Sequence, residues 1–343
     1  MSAPRVLSFG SVNIDHVYSV DDFNRAGETK AAQSYTKLAG GKGANQSVAL
    51  AKAGAGCFHA GKIGTDGEFI REFMVQAGVD CTHLISSPTT TTGTAFIQVS
   101  EKTKQNSILI WGGGNSALTK AEVDTVFKSE NEKWSAQDWL VVQNELSLTP
   151  YIVEKASERG MKVVYNPAPM DADLMEAISW DKVDVLVLNE SEAIELLDSM
   201  GGDLNLFPSD LEDYTIEHWT FLATEISSAK FSLSGVDWIV ITLGSKGAVS
   251  VRPTSNGDAY YSPAAALPAP LKDTTGAGDT FLGFLVSYLA SHASVKTRKI
   301  PIDTMGDAIK FAAAASALAV TRAGAMQSIP SISDVIDSFP ALF

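Results

Sequence analysis

At 343 residues, with 45% hydrophobic residues and 27 glycines, the chain is long enough to bury a large α/β core and too apolar for a disordered or fibrous protein. A formal net charge of −14 without any Lys/Arg run argues against nucleic acid and anionic membrane as partners. No apolar run approaches the ~20 residues of a membrane span, and two cysteines, Cys57 and Cys81, are too few for a disulfide framework.

In chain order, Met1-Ser-Ala-Pro-Arg passes directly into strand-like Val6–Gly10, without a signal peptide's charged start or cleavage site. A cytoplasmic protein is expected, with the nucleus left open. Further strands are predicted at Cys57–Ile63, Leu140–Gln143, Lys162–Tyr165, Val183–Leu188 and Trp238–Thr242. Helices are predicted at Ala44–Lys52, Glu68–Ala77, Thr149–Glu158, Glu190–Leu197, from Asp279 through Ala290, and at Met305–Thr321. Such alternation predicts a largely parallel sheet with helices on both faces, in a single domain spanning 1–343. Residues 16–38 and 92–110 read instead as β-ribbons of a small separate sheet, a lid if it hangs over the strand ends. The Gly/Asp/Pro-rich, acidic interval 199–220, with Trp219 near its end, reads as a surface excursion. Cys57-Phe-His59 and Cys81-Thr-His83 have ligand types suited to zinc, but they lie in apolar strand segments and read as core.

The polar motifs fall just after predicted strands, where open α/β sheets bind ligands. Asn13 and Asp15, two apart, can point together toward adjacent hydroxyls of a sugar, although taken alone they read better as a polar turn. Gly40-Gly-Lys-Gly-Ala-Asn-Gln46 fits neither a Walker A loop nor G-x-G-x-x-G. Its glycines imply backbone packed hard against a ligand or another strand, with Lys42 and Asn45 presented at a helix start. Glu145, alone, is an acidic loop residue, and Asn166-Pro-Ala-Pro169 a rigid turn. Asn189-Glu-Ser-Glu192 opens a helix, and capping by Asn189 is its stronger reading. Thr242-Leu-Gly-Ser-Lys-Gly247 is a tight turn whose amides and hydroxyls suit phosphates.

Most informative is Asp273-Thr-Thr-Gly-Ala-Gly-Asp279, which opens the apolar segment Thr280–Ala290. Small residues at a helix N-terminus expose unpaired amides to an anion, favoured there by the helix dipole. Beside a bound phosphoryl group, Asp279 is placed to take a proton from an attacking hydroxyl.

In order and spacing these motifs resemble those of the ribokinase-like, PfkB-type carbohydrate kinases from about Val6 to Pro330, most nearly the ribose-phosphorylating branch. The resemblance implies a three-layer α/β/α sandwich with a mostly parallel central sheet and a small β-sheet lid. It implies ATP-dependent phosphorylation of D-ribose at the 5-hydroxyl, with Asp279 as general base and the Gly276, Ala277 and Gly278 amides as anion hole. By the same resemblance Asn13, Asp15, Gly41, Lys42, Asn45 and Glu145 bind the sugar. Asn189 and Glu192 serve the phosphates and a hydrated Mg2+, while Thr242, Gly244, Ser245, Gly247 and Gly278 serve the nucleotide. A K+ ion would sit among Asp273, Thr275, Ala319, Arg322, Gly324 and Ser328, mostly on backbone carbonyls, and an exposed lid edge would offer a homodimer surface. Two positions depart from or complicate the pattern. Ala313 stands where relatives often carry His or Asn beside adenine, and Trp111 either narrows the sugar pocket or packs the lid. Rival expectations are a kinase for deoxyribose, fructose or a pseudouridine-like nucleoside, or a sugar or nucleotide sensor without turnover.

Overall fold

The computed structural model describes residues 4–103, 105–129, 131, 133–228, 233, 235–253, 258–292 and 297–342, excluding the side chains of 227 and 228. Its strands are β1 (Arg5–Phe9), β2 (Asn13–Val20), β3 (Ser34–Gly40), β4 (Gly56–Gly64), β5 (Asp80–Ser87), β6 (Gly93–Ser100) and β7 (Asn106–Trp111). There follow β8 (Trp139–Gln143), β9 (Lys162–Asn166), β10 (Val185–Asn189), β11 (Trp238–Thr242), β12 (Ala248–Val251) and β13 (Ala259–Ser262). Nine of these strands form one sheet in the order β13-β12-β11-β10-β9-β8-β1-β4-β5. From β11 through β5 every neighbour is parallel, and β12 and β13 add an antiparallel edge.

Strand side chains alternate between faces, so Val6, Val141, Val187 and Val240 enter one core while Leu7, Leu140, Leu188 and Ile241 enter the other. Both faces are covered, which is why the central strands read as unbroken Val/Ile/Leu runs. The first core packs against α1 (Lys42–Lys52), α2 (Glu68–Gln76), α8 (Ala277–His292), α9 (Ile302–Ala319) and α10 (Ile332–Ser338). The second lies under α3 (Lys120–Phe127), α4 (Thr149–Glu158), α5 (Ala172–Ala177), α6 (Glu190–Ser199) and α7 (Ile216–Ser228). The three layers and the mostly parallel sheet agree with the expectation.

A second sheet, ordered β3-β2-β6-β7, starts where β1 ends, with Asn13 paired to Gly40 at its base. Its four strands fall in or beside the predicted ribbons. Its outer strand β7 is exposed throughout, and Trp111 is 64% exposed, its indole N–H 3.4 Å from the Thr91 hydroxyl. Trp111 therefore neither packs beneath this sheet nor fills a pocket here.

The 199–220 interval departs from its expected surface character. Phe207, Tyr214 and Trp219 are buried and stack in series, with centroids 6.0 Å and 4.6 Å apart. Trp219 belongs to α7, whose apolar face closes the second core. The acidic composition describes only the exposed turns around Asn205 and Glu212, and it hides these anchors. The two Cys-x-His pairs do not converge on a ligand site. His59 is buried against Ser47 (Nδ1 to Oγ 2.7 Å), and burial lowers its pKa to about 3, while His83 packs among Phe58 and Trp134. Among the described residues, no helix is long and apolar enough to cross a membrane.

Candidate active site

The C-terminal ends of β1, β8, β9, β10 and β11 carry the polar motifs to one edge of the main sheet. On the β1 side, Glu145 accepts from the Ser11 hydroxyl and from the Lys42 amide (3.0 Å), and Ser11 Oγ accepts from the Gly43 amide (3.2 Å). Asn13 Oδ1 accepts from Asn115 Nδ2 at 2.7 Å, while Asn115 Oδ1 takes the Val12 amide at 3.1 Å. The glycines here serve packing between backbones. Gly41 has φ 94°, and a Cβ on it would lie 2.7–2.9 Å from the 11–13 backbone. Gly41 and Gly43 thus pack against the turn after β1, which α1 approaches closely enough to hold Lys42 and Asn45 in place.

The electrostatics follow from burial and crowding. Burial, then the charges of Glu145 and Asp279, push the Asp15 carboxyl up to about 7. Burial likewise raises Glu145 and Glu192 above ordinary glutamates, despite Lys42 beside both. For Lys42 burial opposes the charge, but Asp279, Glu145 and Glu192 outweigh it and hold the ammonium above a usual lysine. Lys42 is thus the positive centre of a ring of carboxylates.

Asp279 lies in the first turn of α8, where the Gly276 carbonyl takes the Thr280 amide (2.9 Å) and hydroxyl (2.8 Å). Gly276 has φ 77°, the left-handed turn that a side chain disfavours. The Ala277 amide donates to Thr274 O at 3.2 Å, so one of the three expected anion-hole donors is engaged here. Nothing lies within 4 Å of where a Gly278 Cβ would stand, and Gly278 borders open cavity space. Asp279 is held on both oxygens, by Asn45 Nδ2 (2.9 Å) and Gln46 Nε2 (3.0 Å). Asn45 Oδ1 is buried and has no partner among the described residues, an acceptor left for a hydroxyl.

A cavity of about 210 Å³ reaches from Lys42 and Asp279 past Gly278 to Glu192 and Thr242. It adjoins a wider one of about 510 Å³ that includes Gly244, Ser245, Gly247, Leu267, Phe281 and Ala313. Thr242 and Gly278 border both. Asn189 and Glu192 form a reciprocal cap of α6, each side chain taking the other's amide at 2.9 Å, so the capping reading is correct and coexists with their place in the cavity wall.

The turns proposed for a monovalent ion also meet. Asp273 takes the amides of Thr275 and Gly324, both at 2.9 Å, and these outweigh burial to keep its carboxyl low. Ala325 backbone lies 3.0–3.2 Å from where a Gly276 Cβ would be. The Arg322 guanidinium turns to Asp334 and Ser328 Oγ to the Ala325 carbonyl, so neither side chain faces the place where these turns meet. Ala319 O already accepts the Arg322 amide at 2.9 Å. Among the described residues, no three His, Cys, Asp or Glu side chains are grouped to hold a metal unaided. Five polar side chains in this network escaped sequence reasoning: Ser11, Gln46, Asn115, Gln143 and Asn166. Gln46 and Asn166 lie within quoted motifs and the others beside them, but each one's partner lies too far along the chain for spacing to reveal its role.

The model of the pfkB family of carbohydrate kinases matches residues 3–332. Ribokinase of Haemophilus influenzae is 34% identical over 336 residues, covering 96% of each chain. The structure is similar to that of ribokinase from Cryptococcus neoformans in complex with ADP, with a TM-score of 0.83, 32% identity and coverage of 98% and 99%. It is also similar to Arabidopsis thaliana ribokinase complexed with ribose and ATP, with a TM-score of 0.76, 26% identity and coverage of 98% and 99%. With its motifs gathered at one sheet edge and the family pattern spanning nearly its whole length, this chain belongs to the pfkB family of carbohydrate kinases.

Proposed function

We propose that the chain transfers the γ-phosphoryl group of ATP to the 5-hydroxyl of D-ribose. One observation carries the reading most: Asp279 lines the smaller cavity beside Lys42 and Asn45, with a donor fixed on each oxygen. Asn13, Asp15, Gly41, Lys42, Asn45 and Glu145 hold the sugar, the Glu145 carboxylate fixed by the Ser11 hydroxyl and the Lys42 amide. The hydroxyl oxygen bonds to the γ-phosphorus as its proton passes to Asp279. The bond to the bridging oxygen breaks, and its electron pair leaves with ADP. Gly276 and Gly278 amides take the charge of the transferring group, and Ala277 joins them on releasing Thr274. A base of this kind contributes ~10²–10⁴ in rate.

The wider cavity suits the nucleotide, its base against Leu267, Phe281 and Ala313 and its phosphates near Thr242, Gly244, Ser245 and Gly247. The partly buried Glu192, its carboxyl raised by desolvation, lines the smaller cavity beside Asn189 and fits a Mg2+ ion held by few side chains and by substrate phosphates, whose charge the ion neutralises. The touching 273–276 and 319–328 turns fit a K+ ion on carbonyls, a fixed charge steadying the anion hole. The smaller sheet, based at Asn13 and Gly40, acts as a lid that excludes water from the transfer. Its exposed apolar β7 edge is the surface for a homodimer.

ADP release with ATP, Mg2+ and K+ across ribose, 2-deoxyribose, fructose and nucleosides tests the reading, with Asp279→Asn beside the wild type. Ribose-dependent turnover lost in the variant supports it. Turnover on another acceptor overturns the substrate alone, and binding without turnover points to a sensor.

A further inference from the structure

A glutamine amide offers two N–H donors and one carbonyl acceptor. Gln46, 1% exposed, has all of them committed. Its Nε2 donates to Asp279 Oδ1 (3.0 Å) and Asn166 Oδ1 (3.2 Å), and its Oε1 accepts from Gln143 Nε2 (2.6 Å). The direction of this chain is set by a group that cannot reverse. The Val187 carbonyl only accepts, so Asn166 gives it Nδ2 (3.0 Å) and turns Oδ1 toward Gln46. Asn166 Oδ1 then requires the Gln46 NH2, whose other hydrogen falls on Asp279. Reversing Gln46 would set its oxygen against two oxygens, one of them in the Asp279 carboxylate.

Gln143 bears the cost of this order. It is 1% exposed, and its Oε1 has no partner among the described residues. That oxygen lies against Gly10, where a Cβ would stand 2.3 Å away. A buried acceptor left unpaired is unfavourable, and it persists here because the Gln143 NH2 is needed at Gln46. A carboxylate with one donor on each oxygen cannot rotate about its Cβ–Cγ bond without breaking a hydrogen bond. Asn45 supplies one of these donors and keeps Oδ1 free for the proposed sugar, whereas among the described residues Gln46 bonds to Asn166, Gln143 and Asp279.

We infer that Gln46, oriented by Asn166 and Gln143, is a positioning residue that aims the Asp279 carboxylate at the acceptor hydroxyl. The inference rests on the reading of Asp279 as the base. Gln46→Met keeps the length and removes every donor, and Gln143→Met removes the support one step back.

Single-turnover rates, steady-state KM values and pH profiles of both variants, their double variant and Asp279→Asn test it, with melting temperature as the control for folding. In Gln46→Met the transfer rate falls at least about tenfold, as for loss of a hydrogen bond to a charged group, while both KM values stay within about twofold. The acid limb of the rate profile moves to higher pH, since a donor that favours the charged carboxylate is gone. Gln143→Met does the same more weakly, and the double variant is no worse than Gln46→Met, because Gln143 acts through Gln46. An unchanged rate and profile in Gln46→Met overturns the inference, as do additive losses that track melting temperature. If Gln46→Met does not fold, Gln143→Met carries the test by the same rate and pH displacement. Turnover retained in Asp279→Asn defeats the base reading itself, whereas turnover lost there beside an unaffected Gln46→Met defeats only the positioning role.

Discussion

Around β1, β2 and α1 the polar side chains are interlocked before any ligand arrives: Glu145 with Ser11 and Lys42, Asn13 with Asn115, Asp279 with Asn45 and Gln46. Around β11, α8 and α9 the walls are mostly alanines, glycines, Leu267, Leu271, Phe281 and Val320, with only the hydroxyls of Thr242, Ser245, Thr274 and Ser316 among the polar side chains. The first region is built to discriminate, because a site of buried polar groups rejects an analogue that leaves one unpaired. The second is built to accommodate, holding a larger molecule by shape and backbone amides. Acceptor specificity should therefore be strict and side-chain dependent, and nucleotide specificity loose.

Glu145→Ala attacks the strict side and carries the largest expected effect after loss of Asp279. It strands the Ser11 hydroxyl and the Lys42 amide and takes one counter-charge from Lys42. Each buried, stranded donor costs ~1–3 kcal/mol. Denaturant unfolding should show a loss of that order, and KM for ribose should rise far more than KM for ATP. Equal increases in both would dissolve the distinction between the two regions.

The same contrast explains what the sequence disclosed. A proposed sugar site needs particular side chains, so Asn13, Asp15, Asn45, Glu145 and Asp279 stood out once their order was seen to resemble the family's. The α/β alternation was equally plain, since strands buried on both faces must be apolar. Ser11, Asn115, Gln46, Gln143 and Asn166 stayed hidden because their partners are distant in sequence: Gln46 meets Gln143 across 97 residues and Asp279 across 233. Phe207 and Tyr214 were masked by acidic neighbours, and the carbonyls of the 319–328 turn have no side-chain signature at all.

A second prediction sharpens the contrast through pH. Asp15, with its pKa raised to about 7, favours its protonated form in the folded state. Its contribution to stability is complete below the unfolded carboxylate value and is lost as pH rises through about 7. In the proposed sugar site the ionised form is the hydroxyl acceptor, so on that proposal kcat/KM for ribose should rise through the same interval. Because Asp15, Glu145 and Asp279 interact, the apparent value belongs to the cluster. Asp15→Asn should flatten the rise and remove its share of the stability change. kcat/KM for ATP at saturating ribose should lack this limb, and a matching limb there would place the titration outside the sugar region.

The smallest effect is expected on the accommodating side. Ala313 lies mid-α9 on the wall of the wider cavity, among apolar neighbours, while nearby Ser316 spends its hydroxyl on the Ala277 carbonyl (2.8 Å). Ala313→Asn adds an amide that can meet the edge of a purine. A net hydrogen bond is worth ~0.5–1.5 kcal/mol, and Asn costs up to ~0.7 kcal/mol in a helix interior, felt in stability rather than in binding. KM values for ATP and GTP should therefore separate by a few-fold in the variant and stay close to each other in the wild type, and kcat with saturating nucleotide should not change. A wild type that already discriminates strongly between bases would mean that the backbone around this cavity reads more than shape, and the division between a discriminating and an accommodating half would fail at its weaker end.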